Sequence, residues 1–337
     1  MGLAGRRRWR ILLGALTLVV IACGIVAWRV LTPTATTAGG TTIVDIPSQD
    51  GALGIARRLE EVGVVRSAPE FLALGVVRGS VRSLKAGEYE FPRGTTTLAA
   101  LVQIENGRVR RHLVLHPEGA TLAELARALE TERLASPGDL ARAASDPRLM
   151  TALGVEAPSL EGYLFPDSYN FVRGMTPEQI LTRMVQRLNA KLGPDIKAQA
   201  RGRGLSLHQL LTLASIIERE AVVRDEMPLV SAVFWNRLRL GMLLQADPTA
   251  QYAAGKERRA LTRADLQLDH PYNTYKYPGL PPGPIASPSL RAVEAALNPA
   301  PVKYVYFVAM DDQRHHFSMT VEEHNAAVSR YRLARHR

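Results

Sequence analysis

Residues 206–220 read SLHQLLTLASIIERE, and this stretch predicts the central helix of the fold. Ser206 followed by Gln209 forms a capping-box pattern, so we expect the helix to begin near Leu207. At about 100° of rotation per residue, Glu218 falls on one apolar stripe with Leu207, Leu210, Leu211, Ala214, Ile217 and Ala221. The helix is apolar almost all round, which predicts a buried position in a large fold.

Glu218 is the predicted catalytic residue, because a carboxylate in a buried stripe is unfavourable unless it is used or paired. Desolvation would raise its pKa and keep it protonated near neutral pH, as a general acid requires. Glu220 falls elsewhere on the helix, between Leu213 and Ile216. The alternative reading is a buried Glu218 paired with an arginine such as Arg237, since structural ion pairs also perturb carboxylates.

Residues 160–169 read LEGYLFPDSY and resemble the LEGYLFPDTY signature of the endolytic murein transglycosylases, the MltG or YceG-like family. Further stretches resemble the same family at family-like spacing: 213–220, FWNRL at 234–238, GM at 241–242, LQADPT at 244–249, YNTY at 272–275, GLPPGPI at 279–285, HFS at 316–318 and EHN at 323–325. The resemblance covers the whole chain. Its small departures are Ser168 and Ala246 where Thr is usual, and Gln251 at an often apolar position.

The resemblance implies a peptidoglycan lyase that needs no cofactor. It would cleave the bond between N-acetylmuramic acid and N-acetylglucosamine within a glycan strand and leave 1,6-anhydro ends. Protonated Glu218 would donate to the leaving oxygen, and its carboxylate would then accept a proton from the C6 hydroxyl of the same muramyl residue. Two alternatives stay open: a hydrolase that uses Glu161 or Asp247 as a second carboxylate, and a wall-binding scaffold without turnover.

Other polar residues are predicted to line the cleft, since aromatic rings stack on sugar faces and carboxylates accept hydrogen bonds from hydroxyls. The predicted substrate-binding residues are Glu161, Tyr163, Asp167, Asn236, Arg237, Gln245, Asp247, Thr249, Tyr272, Asn273 and Tyr275. Structural roles compete with this prediction: a turn at Asp167, a bridge to a helix end for Arg237, and loop pinning for the tyrosines. Asp247 precedes Pro248, and capping of a short helix would explain it without catalysis.

No metal site is predicted. Glu323 and His324 are adjacent and therefore point to different faces of a helix, and the sequence has no HExxH spacing.

Residues 11–28 form an uncharged, mostly apolar stretch of 18 residues, at the short end of a membrane span. Four arginines precede it within residues 6–10, and only Arg29 closely follows. The positive-inside rule predicts a single-pass inner (cytoplasmic) membrane protein with a cytoplasmic N-terminus and a periplasmic or extracytoplasmic catalytic domain. The alternatives are a cleavable signal peptide and lipidation of Cys23, although apolar residues continue past that cysteine.

The net charge of +10 suits nucleic acid or an anionic surface. No nucleic-acid motif and no basic run beyond the N-terminus is present, so we expect lipid or cell wall as the partner and no nucleic acid. Cys23 is the only cysteine, so the exported part has no disulfide. An anchored enzyme reaches nearby nascent strands, which predicts a role in limiting glycan length beside the peptidoglycan synthesis machinery.

The predicted fold class is α+β. The expected segments are a cytoplasmic tail (1–10), a transmembrane helix (11–28), a linker (29–41), a small α+β module (42–108) and a larger, mixed helical catalytic domain with short strands (109–337). The resemblance describes the small module as LysM-like, and whether it binds glycan or only spaces the catalytic domain stays open. The Pro/Gly/Tyr-rich residues 269–287 predict a long functional loop, followed by a helix that Ser287 and Pro288 open.

Overall fold

The computed structural model describes residues 3–34, 40–256, 258–310 and 314–335. The chain forms two compact units, one of Met1–His112 with Val172–Gly174 and one of Leu113–Phe171 with Met175–Arg337. Helices dominate and the strands are short, which confirms the mixed α+β class. The predicted linker falls partly outside the described residues, because residues 35–39 are not among them.

The first unit has a small core around one pair of strands. Its elements are α1 (Leu3–Leu31), β1 (Thr42–Ile46), α2 (Ala52–Glu61), α3 (Ala68–Val77), β2 (Gly87–Phe91) and α4 (Thr97–Glu105). Strand β1 pairs antiparallel with β2, with Val44 opposite Tyr89. Since side chains alternate along a strand, Val44 and Ile46 point inward, where Phe71 and Leu101 complete the core.

Helix α1 is longer at both ends than the span predicted from the sequence. Its segment Trp9–Leu31 has 23 residues and a hydropathy of 2.6, and the apolar 18-residue window within it is not buried. At about 1.5 Å per residue the segment is about 35 Å long, and a bilayer core is about 30 Å thick. Length and composition therefore suit a membrane span, although a signal sequence meets the same criteria.

The second unit is mostly helical and carries two strand pairs. Its elements are β3 (His112–His116), α5 (Leu122–Thr131), α6 (Pro137–Ala144), α7 (Pro147–Leu153), β4 (Asp167–Phe171), α8 (Pro177–Gly202), α9 (Leu207–Glu220), α10 (Met227–Arg239), α11 (Asp247–Ala253), α12 (Arg263–Leu266), α13 (Leu290–Leu297), β5 (Tyr306–Ala309), β6 (His315–Ser318) and α14 (Val321–Arg335). Strand β3 pairs with β4. The sequence predicts a hairpin of residues 304–310 and 315–319. Strand β5 pairs antiparallel with β6, with Phe307 opposite Phe317, which confirms that hairpin.

Helix α9 lies at the centre of this unit and packs against α8, α10, α11 and α13. The predicted capping box is present, because the Ser206 hydroxyl accepts from the Gln209 amide and the Gln209 side chain accepts from the Ser206 amide. Every residue from Leu210 to Ile217 is buried. The prediction of a central helix that is apolar almost all round is therefore confirmed.

Other boundaries differ from the sequence predictions for local reasons. The sequence predicts a helix over 177–192, and the helical backbone of α8 does break at Gly193, where φ is 59° and ψ is 178°; a second helical stretch continues α8 to Gly202. Helix α13 begins at Leu290, because Ser289 rather than Ser287 accepts from the backbone of the first turn. Residues 269–287 contain no helix or strand, as expected of the long loop.

Gly162 is a position where only glycine fits, and its replacement should reveal how tightly the chain packs there. Its φ is +77°, and an added Cβ would lie 2.2 Å from Cβ of Pro284. We expect Gly162→Ala to lower the free energy of unfolding by about 3 kcal/mol or more, because left-handed strain and overpacking add. Urea unfolding of the full-length chain measures this.

Gly154→Ala is the matched control for that substitution. Gly154 has φ +66° and no atom within 4 Å of the added Cβ. Gly154→Ala should lower the free energy of unfolding only by the backbone strain, about 1–2 kcal/mol. Equal losses at the two positions would show that Pro284 yields to the new methyl group.

Candidate active site

The last turn of α9 carries two glutamates in different surroundings. Helix α9 ends at Glu220, and its C-cap Ala221 turns to extended backbone. Unpaired carbonyls at a helix C-terminus carry partial negative charge, which disfavours ionised carboxylates there. Glu218 and Glu220 are both partly exposed as residues, and the two positions differ in what reaches each carboxyl group.

Glu218 is bound by the start of a neighbouring helix. Its Oε2 accepts a hydrogen bond of 2.9 Å from the amide of Ser289, the N-cap of α13. Burial raises its pKa, the hydrogen bonds of Ser289 oppose that rise, and the nearby Glu118 adds to it. Gly119 lies alongside, because a Cβ at that position would be 3.6 Å from Cγ of Glu218. Glu218 therefore has a structural partner as well as a raised pKa.

Glu220 has the less stabilised carboxyl group. Its Oε2 is buried, and no hydrogen-bond partner for it exists within the described part of the chain. Burial raises the pKa of Glu220 to about 8, with a further rise from Asp247 and an opposing effect from Arg237. Although the residue keeps some exposed surface, its carboxyl group is enclosed by protein, and the pKa follows the carboxyl group. Glu220 is therefore protonated at neutral pH.

Arg237 makes its observed hydrogen bonds to backbone carbonyls, and its positive charge only partly offsets the rise in the pKa of Glu220. Its Nε donates to the carbonyl of Val305 at 2.7 Å, and its Nη1 donates to the carbonyl of Leu244 at 2.7 Å. The guanidinium lies 5.5 Å from the centre of the Tyr306 ring. Burial lowers the pKa of Arg237. The residue fastens α10 to two chain segments, and its predicted contact with substrate stays a prediction.

Asp247 lies near Glu220, and its expected capping role is wrong. The N-cap of α11 is Ala246, Asp247 is the first helical residue, and the cap has no side-chain hydrogen bond. The exposed Asp247 carboxylate instead accepts a 2.5 Å hydrogen bond from the hydroxyl of Tyr275. Sequence adjacency to Pro248 suggested the cap, whereas Tyr275 lies far along the chain and is brought in by the loop.

Buried polar residues fasten that loop to the start of α11. The hydroxyls of Thr249 and Thr274 lie 2.7 Å apart, and Asn273 donates to the carbonyls of Leu266 and Leu268. Thr249, Thr274 and Asn273 are at most 1% exposed. Their predicted contact with substrate is not tested, and their observed partners are within the protein.

Gln245 adopts a left-handed backbone next to these residues. Its φ is +47°, unusual for a residue other than glycine, and its amide donates to the carbonyl of Thr274 at 3.1 Å. Its side chain is exposed. Backbone strain of this kind costs on the order of 1–3 kcal/mol and often marks functional sites, in keeping with the predicted cleft position of Gln245.

Glu161 and Tyr163 are built into the fold beside a groove. Both carboxylate oxygens of Glu161 accept from the amide of Leu122 at 3.1 Å, at the start of α5. The hydroxyl of Tyr163 lies 2.9 Å from Nδ1 of His208. Glu161 also lines a groove of about 580 Å³ with Tyr252 and His270, two residues that the sequence analysis did not select.

Tyr272 and Asn236 differ in how accessible they are. Tyr272 is half-buried, and its ring centre lies 5.0 Å from that of Tyr252 and 5.7 Å from that of His270, both of which line the groove. Asn236 is 7% exposed and donates to the carbonyls of Val302 and Tyr304. Tyr272 is thus placed where a sugar could stack, whereas the amide of Asn236 is used to hold the chain before β5.

Asp167 is not brought together with the carboxylates of α9. It begins β4 and pairs with Arg187 of α8 at 2.7 Å. It lines a separate polar pocket of about 410 Å³ that includes Ser168 and Arg183. Glu220 lies off the stripe that carries Glu218, so helical periodicity did not select it, although the whole helix was expected to be buried.

With this geometry described, comparison with known proteins identifies the family. A sequence model of the YceG-like family matches residues 44–330. The chain belongs to this family. A yceG-like protein of Listeria monocytogenes has a crystal structure similar to the present one, with a TM-score of 0.60 and 32% identity, covering 85% of this chain and 98% of that chain.

Curated relatives of this YceG-like chain carry one name. The endolytic murein transglycosylase of Bacillus subtilis (strain 168) is 34% identical, over 86% of this chain and 85% of that protein. The endolytic murein transglycosylase of Streptococcus pneumoniae serotype 2 (strain D39) is 29% identical over 86% of this chain and 58% of that longer protein. The family assignment made from sequence motifs is confirmed.

The buried carboxyl of Glu220 should leave a measurable mark on stability. Its pKa is 4.5 ordinarily and about 8 in the fold, so between these values the native state holds a proton that the unfolded chain has released. The contribution of Glu220 to stability therefore falls as pH rises from about 4.5 to about 8, at about 1.4 kcal/mol per pH unit. In Glu220→Gln this loss should disappear, so the variant should gain stability relative to wild type as pH rises.

Urea unfolding at several pH values across this range measures the difference. Glu294→Gln is the control, because Glu294 is exposed on α13 and should leave the pH dependence unchanged. Parallel curves for wild type and Glu220→Gln would mean that the carboxyl group is ionised in the native protein.

Proposed function

We propose that this YceG-like chain is a membrane-anchored endolytic lytic transglycosylase of peptidoglycan. It cleaves bonds between N-acetylmuramic acid and N-acetylglucosamine within glycan strands and leaves 1,6-anhydro-muramyl ends. The names of the curated relatives support murein as the substrate. The observation that supports the chemistry is a protonated, buried carboxyl group at the end of α9, whose Oε2 has no hydrogen-bond partner among the residues that the structure describes.

The acid in this proposal is Glu220. A general acid must be protonated at working pH, and a pKa of about 8 meets this need. Among the described residues no group accepts a hydrogen bond from Oε2 of Glu220, so no protein acceptor competes for its proton. Glu218, the residue predicted from sequence, has one carboxylate oxygen bound by the amide of Ser289. That hydrogen bond favours the ionised form, so Glu218 is the weaker candidate and its catalytic role stays a prediction.

The reaction then needs one carboxyl group. Glu220 donates its proton to the glycosidic oxygen while the bond from that oxygen to C1 of the muramyl residue breaks. Positive charge develops on the ring, as in other glycosidic cleavages. The Glu220 carboxylate takes the proton of the C6 hydroxyl, and O6 forms the new bond to C1. Water takes no part, so the products are a free hydroxyl on one sugar and an anhydro ring on the other.

The same proposal places the enzyme at the inner membrane. Helix α1 would span the bilayer with its arginine-rich start in the cytoplasm, and the second unit would act outside. The first unit, with its own core around β1 and β2, would be the LysM-like module that contacts glycan. Anchoring beside the synthesis machinery would direct the enzyme to nascent strands and limit their length.

Glutamine substitutions separate the two candidate acids. Full-length protein in detergent is incubated with uncrosslinked glycan strands, and the strand ends are identified by mass spectrometry. Glu220→Gln should lower the rate by about 10²–10⁴, the usual contribution of a general acid. Glu218→Gln should stay within about tenfold of wild type, since the amide oxygen of glutamine can still accept from Ser289.

Each of the other outcomes supports a different general acid or a different function. If Glu218→Gln is inactive while Glu220→Gln keeps its activity, Glu218 is the general acid, as the sequence predicts. Reducing ends in place of anhydro ends would indicate a hydrolase with two carboxylates. Absence of any product from the wild-type protein would indicate a wall-binding scaffold.

A further inference from the structure

Asp247 and Tyr275 form a polar pair whose purpose the fold does not explain. The Tyr275 hydroxyl donates to Oδ1 of Asp247 at 2.5 Å. Asp247 does not cap α11, and its carboxylate is exposed. An exposed tyrosine–aspartate hydrogen bond adds little to stability, because water would serve both groups nearly as well. The pair is nevertheless held in a fixed place.

Backbone contacts on both sides fix the position of this pair. The amide of Ala246 donates to the hydroxyl of Thr274 at 3.1 Å, and that hydroxyl lies 2.7 Å from the hydroxyl of Thr249. The residues next to Asp247 and Tyr275 in sequence are thereby joined in a buried contact. The strained backbone of Gln245 sits at the edge of this contact. Strain that a buried network maintains is typical of residues that a site must orient.

The pair lies beside Glu220, and the groups around that residue leave Asp247 as its close negative neighbour. Helices α10 and α11 pack against α9 and carry Arg237 and Asp247, and the long loop brings Tyr275 through its hydrogen bond to Asp247. The charges of Asp247 and Arg237 act on Glu220 with opposite sign. Arg237 is committed to backbone carbonyls. Helix α13 presents Ser289 to Glu218 rather than to Glu220. An exposed aspartate thus stands at the solvent side of a buried acid.

We infer that Asp247, held by Tyr275, is the second carboxylate of the catalytic centre and stabilises the positive charge that develops on the sugar ring when the glycosidic bond breaks. This inference rests on the proposed function, in which Glu220 is the acid. Asp247 forms no covalent bond and moves no proton. The positive charge on the sugar ring is present in the transition state but not in the bound substrate. The negative charge of Asp247 therefore stabilises the transition state selectively and affects kcat more than KM.

The same loop offers a matched control. The Tyr277 hydroxyl donates to Oδ1 of Asp269 at 2.6 Å, and both residues are exposed. This second tyrosine–aspartate pair has the same chemistry, and its described contacts are with Lys276 rather than with residues of α9. Asp269→Asn and Tyr277→Phe therefore test what loss of such a pair does to the loop alone.

Kinetics of the full-length protein on uncrosslinked strands test the inference. Asp247→Asn should lower kcat about 100-fold with KM within about threefold, and Tyr275→Phe should lower kcat about tenfold because Asp247 keeps its charge but loses its support. In Asp247→Asn, kcat should also begin to fall at lower pH than in wild type, since the pKa of Glu220 loses the rise that Asp247 provides. Asp269→Asn and Tyr277→Phe should match wild type in all three readings.

The outcomes are separable. Wild-type kcat in Asp247→Asn, or a change in KM alone, would overturn the inference while leaving the proposed function intact. Reducing ends from the wild type would overturn the proposed function itself. If Asp247→Asn unfolds, as judged by its thermal midpoint, Tyr275→Phe decides: a tenfold fall in kcat supports the inference and an unchanged kcat overturns it.

Discussion

The site depends on the burial of the Glu220 carboxyl group, whose Oε2 has no hydrogen-bond partner in the described part of the chain. A buried carboxylate without partners is so unfavourable that the group takes up a proton instead. Helices α10 and α11 pack against α9, and the observed hydrogen bonds of Arg237 go to backbone carbonyls. The positive charge of Arg237 opposes the rise in the pKa of Glu220 only in part. The well-packed run from Leu210 to Ile217 supplies the stability that lets α9 hold such a group in place.

Glu218 and Glu220 are separated by only one residue, but their carboxyl groups have different neighbours because several helices pack around α9. Glu218 meets the N-terminus of α13, where an amide and a positive helix end stabilise negative charge. Near Glu220, the negative charge of Asp247 raises the pKa, and Arg237 lowers it while its Nη1 donates to a backbone carbonyl. Burial raises the pKa of both carboxyl groups, and the hydrogen bonds of Ser289 oppose that rise only at Glu218. Neighbouring carboxyl groups with different environments are a general sign of an acid–base site. The polar side chains around them, such as Asn236, Thr249 and Asn273, mostly secure backbone.

Sequence patterns predict those features that depend on local chemistry. The capping box at Ser206, the buried face of α9, the hairpin of β5 and β6, the long loop and the family all follow from residues close together in the chain. Predictions fail where distant residues decide. Asp247 is predicted as a cap, but its carboxylate accepts from the distant Tyr275. Ser287 is predicted as a helix start, but its hydroxyl lies 2.8 Å from Nε2 of the distant His116, and Ser289 caps α13 instead. Helical periodicity places Glu218 on an apolar stripe, but it does not predict which neighbouring groups surround the carboxyl group of Glu220.

A buried acid suits a reaction that returns a proton to the same group. Once Glu220 has protonated the leaving oxygen, its carboxylate is left in surroundings that raise its pKa to about 8. It is then a far stronger base than an exposed carboxylate, whose pKa is about 4, and the C6 hydroxyl of the substrate is the proton source within reach. Burial therefore favours both the donation of the proton to the leaving oxygen and its uptake from the C6 hydroxyl, so the reaction needs no second base. An aspartate at the solvent side can then contribute charge alone, and hydrolysis would require it to activate water as well.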